Sequence, residues 1–170
     1  SAKWLNDISV FGDIVKPSEA RDCDDERIVR SLWKALDEAD IVIAHNGDRF
    51  DIPVANTRFL FYDMIPPSPY NSIDTYQVVR KGRTGFRMDS NKLDFIGQFL
   101  LNKQKIETNF SLWKRCHAGE KAALDEMFRY NKRDVVLLEE VYYRLRPWIK
   151  SHPNLGLYAD GEVCPSCGSK

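Results

Sequence analysis

Apolar positions along the chain fall into short stretches of clearly different rhythm. From Trp4 to Val15 they alternate loosely, and Asn6-Asp7 offers a turn, so a β-hairpin is predicted over residues 1–15. After Pro17 and Ser18 the spacing lengthens. Ile28, Val29, Leu32, Trp33, Leu36 and Ala39 recur at helical intervals behind Asp24 or Asp25 as cap, which predicts a helix running to Asp40. Ile41-Val42-Ile43-Ala44 is an unbroken apolar run, the pattern of a strand buried on both faces of a parallel sheet. His45-Asn46-Gly47-Asp48 ends it. A helix carrying Phe59, Leu60 and Tyr62 is predicted from Pro53, because proline is tolerated in a first turn.

Ile65-Pro66-Pro67-Ser68-Pro69 reads as an extended connection, and Asn71–Thr75 as a second short strand with Asp74 at its end, then a helix or turn through Val79. Residues 80–92 are basic and contain glycine. Ser90 or Asn91 is placed to cap a helix with Leu93, Phe95, Ile96, Phe99 and Leu100 inward. A short helix is predicted from Asn109 or Ser111 to Arg115. A longer tract, divisible into two helices, runs from Gly119 to Arg146 before Pro147 and Pro153. Strands that alternate with helices define an α/β fold.

Composition narrows the picture only slightly. A chain of 170 residues suits one domain with a short appendage, here residues 1–150 and a tail, 151–170. No apolar run is long enough to span a membrane. The 25 basic and 25 acidic residues cancel, so local charge matters more than the sum. Cys23 and Cys116 are isolated and read as reduced thiols. The opening Ser1-Ala2-Lys3-Trp4 has no leader pattern and reads as the interior of a longer protein, with the cytoplasm as its expected compartment.

Two constellations carry chemistry. In His45-Asn46-Gly47-Asp48-Arg49-Phe50-Asp51 a buried strand hands over to a helix, and open α/β sheets bind ligands beyond the carboxyl ends of their strands. Asp51 is thereby placed at a cleft with Asn46 beside it, and His45 reads as a histidine packed at the strand end. In Tyr130-Asn131-Lys132-Arg133-Asp134 a phenol and a carboxylate four residues apart share one helix face. Val135, Leu137, Leu138 and Val141 are expected to anchor that helix on its other side, and Lys132 and Arg133 flank Asp134.

Weaker signals remain open. Asp74 suits a cleft residue and a helix cap equally. Arg80, Lys81, Arg83, Arg87 and Lys92, with Phe86 among them, suit phosphate contacts plus one base-stacking ring, and equally a solvated loop. Cys164-Pro165-Ser166-Cys167 is half of a zinc site. Structural Zn²⁺ needs four ligands, so the pair is expected to begin a truncated ribbon rather than hold metal.

Asn46 and Phe50-Asp51, followed some 80 residues later by Tyr130 and Asp134, resemble the second and third motifs of the DEDDy 3'→5' exonucleases. That family includes proofreading domains of family B DNA polymerases and stand-alone phage and bacterial nucleases. Asn91-Lys92-Leu93-Asp94-Phe95-Ile96, with Lys103 or Lys105 beyond, is similar to its Lys-Leu helix. The resemblance covers residues 1–150. It implies an RNase H-like mixed sheet flanked by helices. It also implies Mg²⁺ or Mn²⁺ held by Asp51 and Asp134, and Tyr130 orienting the attacking water. Asn46, Phe50, Asp74, Arg83, Arg87 and Lys92 would then contact single-stranded DNA, or RNA. The histidine branch of the superfamily is excluded, because no histidine stands five residues before Asp134.

The family's Asp-x-Glu motif is not found. Asp24-Asp25-Glu26 lies at a polar helix start, and Ala2–Leu5 is similar to the family's second strand. The first, central strand is therefore expected to precede Ser1, which implies impaired hydrolysis and a strand edge free to self-associate. A non-catalytic nucleic-acid-binding or protein-interaction module on the same fold is the alternative.

Overall fold

In a computed structural model the apolar stretches become, among the described residues, seven α-helices and two strands. The residues described are 1–5, 7–80, 86–103, 110–158, 161, 163 and 164. The α/β class expected is the class observed. The first helices are α1 (Pro17–Asp22), with proline in its first turn, and α2 (Glu26–Asp37). Arg27 ties the start of the chain to both: it donates to Glu19 at 2.8 Å and to the Ile14 carbonyl at 2.7 Å, and pairs with Asp13.

Strands β1 (Ile41–Ala44) and β2 (Asn71–Asp74) pair in parallel, Ile41 opposite Asn71 and Ala44 opposite Asp74. Their carboxyl ends therefore lie together. The two strands form the only sheet among the described residues. β1 is half-buried along its length, not enclosed on both faces as its apolar run suggests. One strand neighbour covers it incompletely. Between the strands runs α3 (Asp51–Phe61), which starts two residues before Pro53. α2, α3 and β1 share a core of Val29, Leu36, Ala55 and Phe59, with Trp33, Val42 and Ile52 against it.

The second half is helical: α4 (Thr75–Val79), α5 (Leu93–Leu101), α6 (Phe110–His117) and α7 (Lys121–Leu145). α7 packs against α4, α5 and α6, while α4 also touches β1, so α4 joins the two halves. α5 and α7 meet through Ile96, Val141 and Leu145. α6 and α7 meet through Leu112, Ala123 and Met127.

Three expectations are corrected. The hairpin reduces to one antiparallel bridge, Ala2 to Phe11, and Ile8 is almost fully exposed. The tract after Gly119 is one helix of 25 residues, because no glycine or proline interrupts it. Phe99 is exposed and stacks on Phe95, because the buried stripe of α5 is Leu93, Ile96, Gly97 and Leu100.

Candidate functional site

The turn after β1 is built around one buried carboxylate. Asp74 accepts hydrogen bonds from the backbone N–H groups of Asn46 (2.7 Å), Tyr76 (2.9 Å) and Asp48 (3.3 Å). It caps α4 and clasps the loop that leads to Asp51. Of the two roles the sequence left open, the cap is the one observed: the side chain is buried and committed to backbone donors.

Asn46 and Gly47 shape the same loop. Asn46 has φ +65°, a left-handed conformation that asparagine tolerates better than most residues. Gly47 is buried, and a Cβ there would lie 2.4 Å from the Ala44 Cβ. Only glycine lets the chain turn this close to its own strand.

Asp51 opens α3 at the carboxyl end of the sheet. Burial raises the pKa of its carboxyl above the ordinary value; its own backbone hydrogen bond works against this, and the negative charge of Asp74 adds to it. Asp51 also lines a cleft of 240 Å³ between α2 and α3, together with Leu32, Phe50 and Val54. Phe50 is 62% exposed at this cleft.

Tyr130 and Asp134 share one face of α7, four residues apart, and that face is the inward one. Ala123, Met127, Val141 and Leu145 are buried along α7, and Leu137 packs into the same core. These positions recur every three or four residues, and Tyr130 and Asp134 fall on the same line. Leu137 and Val141, two of the four expected anchors, therefore lie on the same side as Tyr130 and Asp134. The phenol and the carboxylate interrupt the inward stripe, half-buried, with Tyr130 against Leu112, Ala123 and Met127. A polar pair on an otherwise apolar packing line needs partners for its polar atoms.

Several cations are taken up in ion pairs. Lys3 pairs with Glu139, Arg58 with Asp25, Lys103 with Glu140 and Arg115 with Glu120. Arg80, Arg87 and Lys92 are exposed and make no ion pair among the described residues. Arg83 lies outside the described residues. Phe86 is not a free stacking platform: it packs with Met88 on the α5–α7 core and meets Trp148 edge-on, ring centroids 5.4 Å apart. Cys164 is a half-buried free thiol, and Cys167 lies outside the described residues.

His45 is the feature sequence reasoning undervalued. Its ring spans two elements: Nδ1 lies 2.9 Å from the Thr75 hydroxyl and Nε2 2.9 Å from the Asn91 carbonyl. No local pattern announces it, because its partners lie 30 and 46 residues away.

A family model described as RNase H superfamily matches residues 11–146. The chain belongs to that superfamily. No curated protein matches it. Nucleases are common in the superfamily and typically use divalent metal ions. Among the described residues, however, no group of three or more His, Cys, Asp or Glu side chains is arranged to hold an ion. Two clamped ions need more oxygen ligands than Asp51 and Asp134 supply, so the described donor set does not fit a resident two-ion centre. Among the same residues no helix is long and apolar enough to cross a membrane.

Proposed function

We propose that this chain is a 3'→5' exonuclease-type domain that holds the 3' end of single-stranded DNA and, with its described carboxylates alone, cleaves weakly or not at all. The observation that carries the reading is the placement of Tyr130 and Asp134 on the inward stripe of α7. A phenol and a carboxylate on one helix face are the groups that orient a water and hold a cation beside a phosphodiester. Asp51 at the sheet's carboxyl end supports it, since ligands of such sheets bind at that end. Phe50 offers an exposed ring for a base, and Asn46 shapes the loop that presents both. Arg87 and Lys92 supply sequence-independent attraction for the backbone phosphates.

The donor set favours binding over hydrolysis, which brings the non-catalytic nucleic-acid module close to the same conclusion. One experiment separates them. The chain and Asp134→Ala are incubated with 3'-labelled single-stranded DNA and Mn²⁺, and binding and shortening are both followed. Binding with very low or undetectable shortening is expected. Robust cleavage that Asp134→Ala abolishes would show a complete site and overturn the impairment; absence of binding would overturn the reading as a whole.

A further inference from the structure

We infer that His45 is a positioning residue that pins the basic segment 86–92 to the carboxyl end of β1, so that Arg87 and Lys92 are presented to a strand together. The inference rests on the reading above for its ligand, single-stranded nucleic acid, and on geometry for the rest.

The Asn91 carbonyl can only accept, so the ring nitrogen 2.9 Å from it, Nε2, carries a hydrogen in either charge state of the imidazole. On the other side, the Thr75 hydroxyl lies 2.9 Å from Nδ1 and 2.9 Å from the Ala44 carbonyl. Thr75 is fully buried, so its one hydroxyl hydrogen serves this network. The Tyr76 ring packs against the imidazole in a T-shaped arrangement, centroids 5.7 Å apart. One side chain thus joins the end of β1, the first turn of α4 and the residue before Lys92.

Among the described residues the pinned segment is otherwise anchored by alternate side chains and, at its end, by the Lys92 carbonyl, which accepts from the Ile96 N–H at 3.1 Å. Phe86 and Met88 turn into the α5–α7 core, while Arg87 and Asp89 face solvent. The Ser90 hydroxyl accepts from the Lys92 N–H at 3.2 Å. The Asn91 link is the contact that fixes the segment's height relative to the loop carrying Asn46 and Asp51. Without it Lys92 and Arg87 keep their charge and lose their common register.

The test uses the whole chain with His45→Ala, His45→Phe and His45→Gln. Phenylalanine keeps the ring and loses the donor; glutamine restores an N–H near the Nε2 position. In the free protein, trypsin cleavage after Arg87 and Lys92 is followed by mass spectrometry. It is expected to quicken about five- to tenfold in the alanine and phenylalanine variants, the scale of one lost hydrogen bond. Cleavage after Arg115 should stay unchanged, and glutamine should restore protection. Binding of a labelled oligothymidylate is then measured against salt. Arg87→Ala/Lys92→Ala should lower the slope of log K on log salt by about 1.4, two single-strand phosphate contacts. His45→Ala should lower it comparably, and the triple variant little further. Unchanged cleavage in His45→Ala, or slopes that simply add, would overturn the pinning. If the wild type binds no oligonucleotide, the proposed function fails, and the protease result still decides whether His45 holds Asn91.

Discussion

Asn46 and Gly47 show how a site is written into single residues. Each side chain does less than its backbone: Asn46 accepts φ +65° and donates its N–H to Asp74, and Gly47 clears the Ala44 Cβ. Asn46→Ala is expected to cost about 1 kcal/mol through the left-handed conformation, read from urea unfolding, without removing the N–H to Asp74. Gly47→Ala meets a Cβ that cannot rotate away, so the loop must move. Its effect is expected on both stability and strand binding, whereas Asn46→Gly should preserve stability to within about 0.5 kcal/mol.

Helices and clamps set the next scale. On α5, Ile96 is fully buried and Phe99 is 67% exposed, although both are large and apolar. Ile96→Ala is expected to cost about 2–5 kcal/mol, and Phe99→Ala within about 0.5 kcal/mol, in the same unfolding assay. The Arg27 clamp adds a pH dependence. Its hydrogen bond, with a smaller contribution from the Lys16 N–H, lowers the Glu19 pKa from 4.5 to about 2. The folded state favours ionised Glu19 more than the unfolded chain does, so its stabilisation is present above pH 4.5 and is lost as pH falls through about 2. Melting curves of Glu19→Gln and wild type should differ at neutral pH and converge near pH 2; the neutral gap should be small, because the pair is solvent-screened.

For the molecule as a whole, the question is what completes the sheet. β1 and β2 are the only paired strands among the described residues, and each has a second edge without a strand neighbour there. An open edge is a template for another strand. We therefore expect concentration-dependent self-association of this chain, measured by light scattering; a monomer at every concentration would remove the idea.

The amino-acid order determined the elements whose signals are local: β1 and β2, the strand-to-helix turn at Asn46–Asp51, and the helix face that Tyr130 shares with Asp134. Those follow from periodicity and from backbone preferences of a few neighbours. Tertiary packing decided which side of a helix is inward, and there the reading from spacing alone misplaced Phe99 and put Leu137 and Val141 opposite Tyr130 and Asp134. A helix repeats its faces identically, and only the neighbours that pack against it choose one. The same holds for His45 and Asp74: a hydrogen bond across 28 to 46 residues leaves no trace in local order, because the fold alone brings its two ends together.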